Sequence, residues 1–214
     1  HVGGDYYHYV FLDDSKTKLA VVLADVSGHA MEAATVALRF SDILRYEVQG
    51  RDEGTEILEG LDKSLKGQIQ SNMFVTCGIG VLDLTRKSLT FASAGSPEVY
   101  HFHRETSEVE TLGVTGIPLG MTLPDLGDLK AFDSTEKMLK SGDRVIFVSD
   151  GIEEACDHTE ELYGQERLMS IIRKYSLEST SAEKLRDAIL ADVRQFLGDV
   201  SQEDDLTVVV LRVA

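Results

Sequence analysis

The chain has 214 residues, 43% of them hydrophobic, which suits one large domain with a sizeable core. Its formal charge of −16 excludes a surface for nucleic acid or anionic membranes, because those need clustered Lys and Arg, whereas an acid excess welcomes cations. The two cysteines, Cys77 and Cys156, show neither zinc spacing nor a disulfide framework, which fits a reducing cytoplasm, and no apolar run is long enough to be read as a membrane span.

The chain opens at HVGGDYY, inside a structured motif, so it is expected to be cut from a longer protein. Asp5 follows Gly3-Gly4 and precedes a β-rich run at 6–12, and residues 13–17, Asp-Asp-Ser-Lys-Thr, carry turn chemistry. Residues 19–24 are uniformly apolar and read as a buried strand. A hairpin centred on Ser15 sets Asp5 across from Asp25. Cross-strand neighbours lie about 4.5–5.5 Å apart, so two carboxylates there repel unless a cation sits between them. Val26-Ser27-Gly28-His29 then connects to a long helix opening at Ala30. A plainer reading makes Asp25 a helix cap and His29 a helix-start histidine bonding backbone, with proton donation by His29 the second choice. Ser27 and His29, two apart in a tight turn, make a poor nucleophile pair.

At 30–48, Ala33, Val36, Ala37, Phe40, Ile43 and Leu44 recur at helical spacing, Gly50 ends the helix, and Ile57, Leu61, Leu65 and Ile69 mark a second helix that pairs with it. Residues 73–82 and 89–94 read as strands joined by a polar turn, and 98–102 continues that meander after Ser96-Pro97. Residues 111–128 read as loop or short strand ends, and 130–134 as a further short strand. His8, His101 and His103 read as ordinary polar residues of strands or turns, with no metal-ligand spacing linking them.

Residues 144–148 repeat the opening design, since an apolar strand runs into Ser149-Asp150-Gly151. A polar loop leads to helices at 161–175 and 181–196, the second announced by a Thr180-x-x-Glu183 capping box. The last strand, 206–213, is preceded by Asp204-Asp205. In an antiparallel sheet the start of one strand lies beside the end of its neighbour, so Asp204 can reach the edge where other acids end strands. Segregated runs of strands and helices, with no repeat, indicate α+β layers.

Asp5, Asp25, Asp150 and Asp204, with the Val26 carbonyl, form an all-oxygen donor set that Mg²⁺ or Mn²⁺ prefers over zinc. Gly28, His29, Gly151 and Asp205 flank these residues as supporting positions. Two such ions about 3.5–4 Å apart can hold a bridging water in line with a phosphorus atom, which is phosphoester hydrolysis. No cysteine sits where its pKa would be lowered, no G-x-S-x-G elbow is present, and no D-x-[DN]-x-[DN]-G calcium loop occurs.

GGDYY, ADVSGHA, NMFVTCGIGVLDL, SAGSP, GIPLGM, SGDRVIFVSDGI, LYGQERL and DDLTVVVL occur in an order that resembles the SpoIIE/RsbU-like branch of the type 2C (PPM-type) metal-dependent protein serine/threonine phosphatases. The resemblance covers nearly the whole chain. It implies an α+β fold, a four-layer α-β-β-α sandwich of two mainly antiparallel sheets flanked by helix pairs, forming a single phosphatase domain over 1–214. It implies two Mn²⁺ or Mg²⁺ ions, with Asp25 bridging both, Asp5 and the Val26 carbonyl serving one, and Asp150 and Asp204 the other. It further implies hydrolysis of phosphoserine or phosphothreonine on a STAS-type anti-sigma factor antagonist in bacterial stress signalling, under an upstream sensor or regulatory domain. A cytoplasmic setting and a homodimer are expectations of the same kind. The sequence departs from the family pattern at His8, usually Asp, at Ala30, usually Gly, and at Ser96, usually the His of an AGH motif. None is a ligand, but together they support an alternative, a pseudo-phosphatase that binds a regulatory partner without turnover. The family also normally has a strand before GGD.

Overall fold

The computed structural model describes residues 3–28, 30–70, 72–121, 131–178, 181–202 and 204–214. Its contacts divide the chain into two compact units, one of residues His1–Ser96 and Val114–Met138, the other of Pro97–Gly113 and Leu139–Ala214.

The first unit holds strands β1 (Tyr6–Phe11), β2 (Lys18–Val26), β3 (Val75–Asp83), β4 (Ser88–Ala94) and β7 (Asp133–Met138), with helices α1 (Ala30–Glu47) and α2 (Gly54–Leu65). The sheet order is β1-β2-β3-β4-β7 and every pairing is antiparallel. Val22, Ala24 and Val26 pack with Phe40 and Leu44 of α1 and Ile57, Leu58, Leu61 and Leu65 of α2. Because side chains alternate along a strand, Val21, Leu23 and Asp25 stand on the face away from these helices. The turn at 13–17 forms as expected: Asp13 accepts from the Thr17 and Lys18 amides at 2.9 Å each, and the Ser15 and Thr17 hydroxyls, followed by these amides, hold its carboxyl far below the usual range. Its largest lowering influence is the Ser15 hydroxyl.

The second unit holds β5 (Val99–His103), β6 (Glu108–Thr111), β8 (Arg144–Val148) and β9 (Val208–Arg212) in the order β6-β5-β8-β9, again antiparallel. Helices α3 (Asp150–Glu153), α4 (Gly164–Leu177) and α5 (Ala182–Leu197) belong to the same unit. Tyr100, Phe102, Ile146 and Val148 pack on Leu168 and Ile172 of α4 and Leu185, Ile189 and Val193 of α5. Each unit therefore supplies one antiparallel sheet and one helix pair.

Several elements differ from the sequence expectation. β5 does not continue the meander but pairs with β6 and β8 in the other sheet, because Pro97 supplies no amide donor and ends the ladder after β4. β6, Glu-Val-Glu-Thr, is a polar edge strand without an apolar run to announce it. The strand expected at 130–134 is β7, Asp133–Met138, and residue 130 lies outside the described residues. The short α3 replaces the start of the expected polar loop. α5 is capped by Ser181, whose hydroxyl accepts from the Lys184 amide at 3.3 Å, one residue later than the capping box placed it; Thr180 lies outside the described residues. Ile69 falls beyond α2 yet still packs against the first core.

Candidate metal centre

The sequence-selected acids fall into two sets, one in each unit. In the first unit, β1 and β2 pair Tyr6 with Ala24 and Phe11 with Leu19, so the next step of the register sets Asp5 opposite Asp25. Tyr6 packs edge-on against Phe40 at 5.6 Å, on the helix side, which leaves Asp5 on the same face as Asp25. Asp25 still belongs to β2, paired with Thr76 of β3, and lies five residues before the first residue of α1. That is not an N-cap position, so the cap reading of Asp25 falls.

The backbone around Asp25 is crowded by design. A Cβ on Gly4 would stand 2.8 Å from the Val26 carbonyl oxygen and 2.9 Å from Asp25 Oδ1, so any other residue would fill the space in front of both expected ligands. The Val26 amide donates to the Gly4 carbonyl at 3.3 Å. Ser27 fixes the loop that follows: its amide donates to the Phe74 carbonyl at 3.0 Å, and its hydroxyl accepts from the Phe74 amide at 2.8 Å. Ser27 is thus a clamp between β2 and β3. Gly28 follows it with a φ of +105°. His29 lies outside the described residues.

In the second unit, β8 and β9 pair Val148 with Val208, which brings the residues before β9 beside the residues after β8. Ser149 ties them together. Its amide donates to the Thr207 carbonyl at 3.0 Å, its hydroxyl donates to the Asp205 carbonyl at 3.1 Å, and it accepts from the Thr207 amide at 3.0 Å. A Cβ on Gly151 would lie 2.3 Å from the Asp205 carbonyl oxygen and 3.2 Å from Asp204 Cβ, so only glycine permits this approach. Burial, and then the charge of Asp204, push the Asp150 carboxyl above its usual range. The Gly151 amide donates to Asp150 Oδ1 at 2.9 Å, and the Asp205 amide to Asp204 Oδ1 at 2.7 Å, so both carboxylates are held from one side. A cleft of about 400 Å³ opens beside Asp204, lined also by Gly151, Glu154, Cys156, Gln202 and Leu206.

Each unit therefore brings together the acids expected of it. Neither gathers three of them: among the described residues the close trio of ligand atoms is His101, His103 and Asp143, which the linear spacing of the histidines did not reveal. Sequence reasoning also missed the steric role of Gly4 and the clamping role of Ser149. The doubled glycine before Asp5 and the repeated Ser–Gly flanks around Asp25 and Asp150 were the available signals. Cys77 is fully buried, which pushes its thiol well above the usual range, so it offers no nucleophile. The donor set remains all oxygen, the glycine approaches keep the carboxylates accessible to an ion, and like charges stand together; these residues fit hard divalent cations. Of the three family departures, His8 pairs with Val22 inside β1, Ala30 is the first residue of α1, and the Ser96 hydroxyl lies close against Gly78 of β3.

The pattern of the Stage II sporulation protein E (SpoIIE) family matches residues 15–214. Phosphoserine phosphatase RsbU of Bacillus subtilis (strain 168) is 25% identical over 217 residues, covering 99% of this chain and 59% of that protein. Stage II sporulation protein E of Priestia megaterium is 25% identical, covering 99% of this chain and 34% of that one, so the chain spans less than two thirds of the length of either relative. Among solved structures, the SiaA-PP2C domain of Pseudomonas aeruginosa superposes with a TM-score of 0.83 at 20% identity, covering 100% of this chain and 81% of that one. A Mycobacterium tuberculosis structure of RsbU and RsbW domains gives 0.82 at 24% identity, covering 99% and 57%. The fold is that of PP2C phosphatase domains, and with the match over nearly its full length the chain belongs to the SpoIIE family, in the SpoIIE/RsbU-like branch of the PPM-type serine/threonine phosphatases.

Proposed function

We propose that this chain is a metal-dependent protein phosphatase that hydrolyses phosphoserine or phosphothreonine on a regulatory protein. The observation that carries the reading is the pairing of carboxylates at strand ends, Asp5 with Asp25 and Asp150 with Asp204, each beside a glycine that no other residue could replace. In this reading Asp5, Asp25 and the Val26 carbonyl hold one Mn²⁺ or Mg²⁺, Asp150 and Asp204 hold a second, and Asp25 serves both. Bound there, the ions would supply Lewis acidity and a water acidic enough at neutral pH to attack phosphorus.

The chain's own contribution is to position. Ser27 locks the Val26 carbonyl between β2 and β3, and Ser149 locks the Asp205 backbone to the end of β8. The Gly151 and Asp205 amides orient one oxygen each of Asp150 and Asp204. Ligands held this way lose little entropy when an ion arrives.

The substrate in this reading is a phosphorylated STAS-type anti-sigma factor antagonist, with an upstream sensor or regulatory domain and a homodimer as further partners. The presence of RsbU and RsbW domains together in the mycobacterial structure supports a regulatory circuit of this kind. The regulated element is the helix pair of residues 30–69. α1 begins four residues after Val26, the last residue of β2, and it exposes Met31, Leu38 and Tyr46, each more than 70% accessible, where a partner could push on it. The deciding experiment is turnover of a phosphoserine peptide by the full chain with Mn²⁺, then with chelator. Activity that EDTA abolishes and Mn²⁺ restores is expected. Turnover that persists in excess EDTA sinks the two-ion reading, and binding of the phosphoprotein without turnover under any metal supports the pseudo-phosphatase.

A further inference from the structure

A second constellation lies on the face of the β6-β5-β8-β9 sheet opposite α4 and α5. His101 and His103 lie two apart on β5 and so share a face; Glu110 of β6 is the direct cross-strand partner of His101. Asp143 immediately precedes β8. His101 is fully buried, and its Nε2 lies 3.0 Å from Asp143 Oδ2. Asp143 also accepts from the Arg104 and Lys140 amides at 2.9 Å each. Burial opposes ionisation, but these bonds and His101 together hold its carboxyl below the usual range.

An ionised carboxylate only accepts, so the proton of His101 is on Nε2 and the neutral ring turns a lone pair outward from Nδ1. That Nδ1 is buried and has no hydrogen-bond partner. The facing atom is Glu110 Oε1 at 3.5 Å, itself an acceptor, and the same oxygen lies 2.8 Å from His103 Nε2. The two imidazole rings stand 3.9 Å apart, too close for both to be cationic. Burial first, and then the nearness of His103, keep His101 below the ordinary histidine value despite Asp143. A buried lone pair aimed at a carboxylate and beside a second imidazole is costly unless an electrophile lies between them.

We infer that this corner binds a transition-metal ion of the zinc class through His101 Nδ1, His103 Nε2 and Glu110 Oε1, with Asp143 fixing His101 from behind. The carboxylate–histidine–metal arrangement sets tautomer and ring orientation together. Nitrogen donors favour zinc here, whereas the all-oxygen acids favour Mg²⁺ or Mn²⁺. Tetrahedral ligands at zinc stand about 3.3 Å apart, close to the 3.5 Å between His101 and Glu110. The 2.8 Å contact must open slightly, and the His103 and Glu110 side chains, 33% and 36% exposed, stand at the edge of the buried corner. His101, His103 and Asp143 also offer ligand atoms within 4.8 Å of one another, but the three bonds Asp143 already accepts suit the supporting role better. Asp143 and Asp150 flank opposite ends of β8, on the order of 20 Å apart along the strand, so this site is separate from Asp150 and Asp204. An ion there ties β5 to β6, and the His101–Asp143 bond links that hairpin to the residue before β8.

The test is titration of the full, untagged chain with Co²⁺ in excess Mg²⁺, followed by displacement with Zn²⁺. One equivalent of Co²⁺ with the intense visible absorption of a tetrahedral nitrogen-bearing site, bleached by Zn²⁺, is expected. His103→Ala and Glu110→Gln change half-buried ligands and should weaken binding at least 10-fold while far-UV circular dichroism stays unchanged. Asp204→Asn should leave the spectrum intact. No intense absorption in the wild-type chain, or the same absorption and affinity in His103→Ala, overturns the inference and leaves these residues a hydrogen-bonded latch.

Discussion

Gly151→Ala tests the closest backbone approach at the candidate centre, because its sign is opposite to what a helical glycine ordinarily gives. Gly151 is the second residue of α3, and replacing an ordinary helical glycine with alanine gains about 1 kcal/mol. Here the new Cβ would stand 2.3 Å from the Asp205 carbonyl oxygen, whereas non-bonded contacts are comfortable near 3.5 Å. The Asp204–Asp205 segment must therefore retreat by about 1 Å, at an overpacking cost of about 1–3 kcal/mol. The net effect is a destabilisation of up to about 2 kcal/mol, and at about 2–4 °C per kcal/mol for a chain this size Tm falls by up to about 8 °C. Asp204 rides on the displaced backbone, and a 1 Å misplacement of a catalytic constellation costs about 10²-fold in rate. Both are read on one preparation: kcat on a phosphoserine peptide at saturating Mn²⁺, and Tm by scanning fluorimetry. An alanine variant that melts higher than wild type with normal kcat refutes the argument, since the glycine would then be an ordinary helical one.

Asp25→Asn keeps shape and removes one charge, so turnover should fall by orders of magnitude even at saturating Mn²⁺, while the metal-free variant melts no lower than metal-free wild type because carboxylate repulsion with Asp5 is relieved; near-normal turnover would remove Asp25 from the centre. Ser27→Ala leaves the Phe74 amide without its side-chain acceptor, so about 1 kcal/mol of stability and part of kcat should go. A loss as complete as that of Asp25→Asn would instead make Ser27 a reacting group. Asp192 links α4 to α5 through Tyr163 at 2.9 Å and Arg167 at 2.8 Å; burial resists, but the two partners hold its carboxyl below the usual range. A lowered folded value stabilises above the usual carboxylate range and is lost as pH falls through it, so the Tm gap between wild type and Asp192→Asn should be widest near neutrality and close below about pH 4. A gap independent of pH would show that packing, and not charge, carries the contact.

What could be read from the sequence follows from where each residue sits along its strand. Asp25 and Asp150 are the points at which an apolar run stops, so the sequence itself marks them as strand ends, and the turn residues at 13–17 fix the register that faces Asp5 with Asp25. The period of two then sorts Asp25 from Val26, and the antiparallel rule carries Asp204 to the end of β8 without further information. His101 has no such marker. It lies mid-strand between apolar neighbours, its acceptor Asp143 is 42 residues away, and its cross-strand partner belongs to β6, a polar edge strand with no hydrophobic pattern of its own. The same gap explains why β5 was placed in the wrong sheet: pairing with β8 is a long-range choice that Pro97 permits but does not specify. Gly4 and Gly151 are a third kind of case, since glycine announces freedom in the sequence, while its use here is the space left by a missing Cβ, which appears only once the opposing backbone is in place. Residues whose role is to end an element are therefore legible one strand at a time. Residues whose role is to meet another element become legible only with the register between strands, which is why the strand-end acids stand out in the sequence and the histidine corner does not.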